Sequence, residues 1–134
     1  MLRSPETDSR ATRHGPSRAG AYVGAVGRRA IAVGTEQGDF EVWTWPLKLL
    51  HDFDFTFRTS QLDDPVSGRA LARTTEITPS GAVITYTHPA FTIRQQIFAA
   101  LNEPAVVMIL DVDAVGSLEI QAEFVPDLQL AWPG

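Results

Sequence analysis

The sequence contains no cysteine. Disulfides, thiolate metal ligands and cysteine nucleophiles are therefore excluded together, and the redox compartment is left unmarked. No apolar run approaches the roughly 20 residues that a membrane-crossing helix requires. The longest apolar stretch, Ala105 to Leu110, has the length of a strand. The basic head lacks the continuous apolar segment of a secretory signal, so a cytoplasmic location is the default expectation. Gly-rich phosphate loops, nucleophile elbows and paired zinc-binding histidines on a helix are all missing. The three histidines, His14, His51 and His88, are too dispersed to predict a metal centre, and no metal or cofactor is expected.

What is present is ordinary globular material. A chain of 134 residues suffices for one domain with a core and is too short for two. Hydrophobic residues make up 44% and charged residues 20%, which is not the balance of a disordered chain. The net charge of −5 is divided unevenly: residues 1–29 carry six arginines against Glu6 and Asp8, leaving the remainder strongly acidic. An acidic body lacks the dense basic face that phosphate binding needs, so neither nucleic acid nor membrane is an expected partner. Residues 1–20 are polar and punctuated by Pro5, Gly15 and Pro16. They read as a disordered basic leader, with residues 21–134 as the folded domain.

From Gly27 onward, short apolar or alternating runs are separated by turn formers, the pattern of an all-β domain. Residues 29–34 read as a strand, and residues 34–38 as a turn whose glycines accept positive φ. Between Asp39 and Trp45, Phe40 and Val42 fall on one face and Glu41, Trp43 and Trp45 on the other. Pro46 should end or bulge that strand. His51 to Phe57 alternates most cleanly, with Phe53, Phe55 and Phe57 inward and Asp52, Asp54 and Thr56 outward. Further strands are expected over residues 69–78, 82–87 and 91–98. Residues 105–112 are apolar on both faces and predict a central strand covered on both sides. In residues 118–124, Leu118, Ile120, Ala122 and Phe124 should face the core. No helix of convincing length is expected. The fold class is therefore an antiparallel β-sandwich. Because the chain stays apolar to its last residues, where domains normally turn polar, it is expected to be a fragment, incomplete at its C-terminal end.

The candidate site is Glu41, Trp43, Trp45 and Lys48. Tryptophan rings stack on the apolar C–H face of a sugar, and a nearby carboxylate or ammonium can bond its hydroxyls. Packing against a core or another domain is the favoured role for the two tryptophans, with direct sugar contact second. Asp52 and Asp54, about 6–7 Å apart at strand rise, have a separation seen in glycosidase carboxylate pairs. Such pairs flank a cleft from different elements, however, so a solvated face is the better reading.

Residues 38–53 (GDFEVWTWPLKLLHDF) and 124–133 (FVPDLQLAWP) resemble the N-terminal β-sandwich of bacterial glycogen-debranching, amylo-α-1,6-glucosidase-like glycoside hydrolases. The resemblance runs from about Gly27 to the end. It implies a supersandwich-like domain that precedes a six-hairpin (α/α)6 barrel, and places the catalytic carboxylates in that barrel. On this resemblance the chain is a carbohydrate-metabolism module that packs against a catalytic partner and is not catalytic by itself. Its ligand would be an α-glucan or related oligosaccharide. By position, Trp43, Trp45 and Lys48 would lie nearest the shared surface. The rival expectation is a free-standing carbohydrate-binding sandwich with Trp43 and Trp45 as its platform.

Overall fold

The computed structural model describes residues 12–130. The first eleven positions of the expected leader, residues 131–133 of the second resembling block, and Gly134 lie outside the described residues. Along the chain, β1 (Arg13–Pro16), β2 (Tyr22–Val26), β3 (Ala30–Thr35) and β4 (Phe40–Thr44) precede the long β5 (Leu47–Thr59). The two-residue β6 (Val66–Ser67) and one helical turn, α1 (Gly68–Leu71), lead into β7 (Ala72–Thr78) and β8 (Gly81–His88). Then come β9 (Phe91–Ala99), β10 (Val106–Ala114) and β11 (Leu118–Leu130).

These strands form two antiparallel sheets packed together as a β-sandwich. Sheet I has the order β1-β7-β8-β9-β10; sheet II has the order β11-β5-β4-β3-β2, with β6 paired to β5. Alternation decides which side chains enter the gap. In β9, Phe91, Ile93, Gln95 and Ile97 are buried while Thr92, Arg94 and Gln96 are exposed. Across the gap, Val23, Ala25, Ala32, Phe40, Phe55 and Phe57 meet them from sheet II. The rings of Phe55 and Phe57 lie 6.2 Å apart, and Phe57 reaches Tyr86 and Phe91 at 5.4 Å each, so the phenylalanine run of β5 is the spine of the core. Tyr86 is 1% exposed, and its hydroxyl donates to the Gln95 carboxamide oxygen, which satisfies the two polar groups in this apolar layer. Burial, with the charges of Asp54 and Asp39 adding to it, pushes the Tyr86 phenol far up, so it remains a donor.

Three expectations change. Within the expected leader, residues 13–16 are strand β1, paired with β7 from Arg13 opposite Ile77 to Pro16 opposite Thr74. The cause is a buried carboxylate. Glu36 is fully buried and accepts from Arg13 Nη1 at 2.5 Å, from the Arg18 backbone N–H at 2.7 Å and from Arg18 Nη2 at 3.2 Å. A buried charge needs such partners, so the arginines that read as solvated leader are drawn onto the body. Second, the strand expected from residue 69 begins at Ala72, because the Ser67 side chain caps α1 by accepting from the Arg69 N–H. Third, residues 105–112 do not form a central strand. β10 is an edge of sheet I, paired only with β9 among the described residues, and Ile109 on its outer side is 44% exposed. Its outer face is apolar only at its start, where Val107 lies opposite Phe98, and turns polar at Asp111, opposite Arg94.

β10 and β11 follow one another in sequence but lie at the edges of different sheets, so their connection crosses the gap and the sandwich is open along that side. Met108, Leu110 and Val112 share the inward side of β10 with Ile97, Gln95 and Ile93 of β9. Ile120 and Ala122 of β11 lie opposite Phe57 and Phe55. Phe124 stacks on Phe53 at 6.4 Å yet is 52% exposed, and Val112 is 48% exposed. An apolar cleft of about 420 Å³ continues this seam, lined by Leu49, Leu50 and Phe53 on one side and Val106 and Met108 on the other.

Candidate functional site

The site residues lie on the outer face of sheet II. In β4, Phe40 is buried and Val42 packs on the core, so Glu41 and Trp43 point away from it. Register then builds rows across the sheet: Ile31, Trp43 and Lys48 are opposite one another, as are Val33 and Glu41. A bulge makes this possible. Val42 pairs with Leu50 and Trp43 with Lys48, leaving Leu49 as an extra residue. A regular strand would put Lys48 and Leu50 on one face; the extra residue turns Leu50 to the core side and Lys48 outward.

Three of the four expected residues come together. Trp43 Nε1–H donates to Glu41 at 2.9 Å, Lys48 Nζ lies 2.9 Å from the other Glu41 oxygen, and Lys48 stands 5.3 Å over the Trp43 ring. Partial burial raises the Glu41 carboxyl, but the Lys48 and Trp43 hydrogen bonds and the Lys48 and His51 charges outweigh it, so the group sits below its ordinary value. It is ionised at neutral pH and holds Lys48 in place. Trp45, expected on the same strand face, is instead in the two-residue turn between β4 and β5, where the Trp45–Pro46 peptide is cis. Pro46 supplies no N–H to the ladder, and the strand stops at Thr44. Trp45 is 75% exposed and borders, with Trp43, Arg28, Arg29 and Ile31, a shallow hollow of about 210 Å³.

Beside this cluster runs a groove of about 400 Å³. Val33 and Gly34 contribute an apolar strip, Tyr22 stands on the β2 side, and Lys48, His51 and Asp52 on the β5 side. Asp39 lies at one end and accepts from the Thr35 hydroxyl. His51 Nδ1 is 3.2 Å from the Asp127 carboxylate and its Nε2 is 3.8 Å from Asp52. A bulge places these groups: Asp54 is opposite Glu123 and His51 opposite Val125, so β5 carries one extra residue here, and Asp52 takes a φ of 51°.

The bulge also separates the two aspartates. Asp52 is mostly in solvent, whereas Asp54 accepts from Ser67 Oγ at 3.0 Å and lies 3.3 Å from Arg69 Nε. Asp54 anchors α1 against β5, and the pair flanks no common cleft. Among the described residues no three histidine, aspartate or glutamate side chains converge to hold a metal ion.

Sequence reasoning missed Tyr22, Asp39, His51 and Asp127 as members of one face. Tyr22 was legible in principle, since Val23 and Ala25 are buried between exposed Tyr22 and Val26, the same period-two pattern used elsewhere. Asp127 was not, because only the β11–β5 pairing brings it to His51. No known family model matches this chain, and no curated protein or solved structure does either.

Proposed function

We propose that this chain is the accessory N-terminal β-sandwich of a carbohydrate-active glycoside hydrolase of the glycogen-debranching type. In this reading it packs against and supports a six-hairpin catalytic barrel of the same parent chain and contributes no catalytic carboxylate. One observation carries the proposal: the surface along β10 and β11 is apolar and open, with Val112 48%, Phe124 52%, Leu128 68% and Leu130 68% exposed. Monomeric domains rarely leave contiguous apolar surface uncovered, and such surface marks an interface. The engagement of Asp54 by Ser67 and Arg69 supports the non-catalytic half of the reading.

The reading frame that encodes the chain, followed past codon 134, should continue into helical hairpins carrying paired carboxylates. Hydrogen exchange on the parent protein should then show β11 amides protected more than in residues 1–134 alone, and the shorter chain should hydrolyse no α-glucan. A stop codon directly after Gly134, or turnover of maltotetraose by residues 1–134, sinks the proposal.

The exposed Trp45 beside Trp43 favours a second reading, a free-standing carbohydrate-binding module with these rings as its platform. It requires that Trp45→Ala abolish glycan binding by the isolated chain.

A further inference from the structure

We infer that the groove between Tyr22 and Lys48, on the outer face of sheet II, binds a neutral oligosaccharide, with the Tyr22 ring as its stacking wall. The inference draws on the carbohydrate reading only for its choice of probes; the site itself is argued from its own geometry. It is distinct from the Trp43 and Trp45 hollow on the far side of the Glu41–Lys48 pair.

The groove offers two kinds of surface that a pyranose needs side by side. A sugar presents apolar C–H faces and a rim of hydroxyls that both donate and accept. Tyr22 is 79% exposed on the edge strand β2, where its ring rises beside the Val33 and Gly34 strip. An aromatic ring so exposed at a groove wall gains most by covering an apolar ligand face. Opposite it the polar groups are mixed in kind. Asp39 and Asp52 only accept, Lys48 only donates, and the His51 imidazole adds two ring nitrogens. Lys48 is preorganised: its ammonium is tied to Glu41 at 2.9 Å, which leaves other N–H bonds for a ligand without the entropy of fixing a free lysine.

Charge selects among ligands. Asp39, Glu41 and Asp52 face the groove against Lys48 and His51, and Asp127 adds a fourth carboxylate behind His51. This balance repels phosphate, sulfate and uronate groups. The carboxylates are spread along the groove and partly committed, Glu41 to Lys48 and Asp39 to Thr35, so they make no cation cage. A volume of about 400 Å³ falls in the lower part of the range for small-ligand clefts and suits a short glycan segment.

The test uses residues 1–134 and three neutral trisaccharides, maltotriose, cellotriose and xylotriose, titrated while backbone amide shifts are followed by NMR. At least one sugar should give saturable shifts at Val33, Thr35 and Glu41. Tyr22→Ala should weaken that binding at least tenfold, and Lys48→Met several-fold, whereas Trp45→Ala should change it less than twofold. Tyr22 is so exposed that its removal leaves the thermal unfolding midpoint in place, and this is measured alongside. The inference is overturned if none of the three sugars shifts these amides. It is equally overturned if Trp45→Ala removes binding while Tyr22→Ala does not, or if glucuronate displaces the neutral sugars. A negative result here leaves the barrel-packing proposal standing, since that is read from the β11 amides and the downstream sequence.

Discussion

The two sides of the sandwich are built to different standards. On the side of β1, β2 and β3, three buried polar groups have partners: Glu36 in Arg13 and Arg18, Tyr86 in Gln95, and Thr75 in Ser17 at 2.7 Å. Apolar side chains there are buried to a few per cent, from Val23 at 5% to Ala32 at 0%. On the side of β10 and β11 the same alternation continues, yet its inward residues reach solvent, Phe124 at 52% among them. Period-two patterning assigns a side chain to a face, but only an opposing layer buries it. The closed side holds the domain's own stability. The open side carries apolar surface that the domain itself does not use.

Truncating one phenylalanine at the centre of the core and one on the open side gives the sharpest contrast. Phe57 is fully buried against Tyr86 and Phe91, so Phe57→Ala should destabilise by about 3–5 kcal/mol. Phe124→Ala removes a ring half in water and should cost about 1 kcal/mol or less. Urea denaturation of both variants measures the difference. Equal losses would show that the seam is as much a core as the centre.

Gly38 tests the closed side through its backbone. It sits in the β3–β4 turn with φ of 96°, and an added Cβ would fall 1.8 Å from the Tyr86 hydroxyl oxygen. Left-handed strain and overpacking act together, and Gly38→Ala should destabilise by about 3 kcal/mol. The same unfolding titration checks it, and a loss below about 1 kcal/mol would mean that Tyr86 can step aside. Gly34, expected to share this turn's positive φ, is instead inside β3, where a Cβ would meet the Asp39 carbonyl and the Phe40 ring.

The Glu36 clasp should show itself as a pH effect. Burial raises the carboxyl, but hydrogen bonds from Arg18 and Arg13 outweigh it, so its folded pKa lies below the ordinary 4.5. As pH falls, the unfolded chain takes up this proton first. The clasp therefore contributes fully above about pH 4.5 and is lost as pH drops through the lower folded value. Glu36→Gln should cost about 2–3 kcal/mol at pH 7, less than a fully enclosed pair, because the Arg13 and Arg18 side chains are 40% and 62% exposed and can rehydrate. Unfolding measured from pH 7 down to 3 should show the gap between wild type and variant narrowing in the acid range. A constant gap would show that the carboxylate charge is not what holds β1.

Much of this was legible in the sequence for a physical reason. Where one face is buried, alternation is written residue by residue, as at Phe53, Phe55 and Phe57 or Leu118 and Ile120. Bulges are not written that way. The extra residues at Leu49 and Asp52 turn Lys48 and His51 to the outer face of sheet II, and they exist only in the pairing with β4 and β11. Long-range electrostatics were equally hidden, since Arg13 reads as leader until Glu36, 23 positions away, is seen to be buried. Edge position was the third blind spot. An apolar strand looks the same whether two neighbours cover it or one, which is why residues 105–112 read as central. Of the candidate site, the shared face of Glu41 and Trp43 followed from strand alternation, whereas Lys48 joins them only through the bulge at Leu49. The groove beside them did not follow from alternation either.

The smallest predicted effect asks what the open side is for. Leu128 takes a φ of 51°, the left-handed region that a leucine enters only at a cost. It is also 68% exposed, so almost no burial offsets that strain. For the isolated domain, leucine is the wrong residue at this bulge on two counts. Asparagine tolerates the left-handed region and prefers water, so Leu128→Asn should stabilise residues 1–134 by about 0.5–1 kcal/mol in a urea titration. It should also reduce binding of a dye such as ANS that reports exposed apolar surface. A residue whose removal helps the free domain is explained if its side chain is kept for a contact outside it. If Leu128→Asn destabilises instead, the side chain is already working within the fold, and the proposal that a partner covers the seam loses this support.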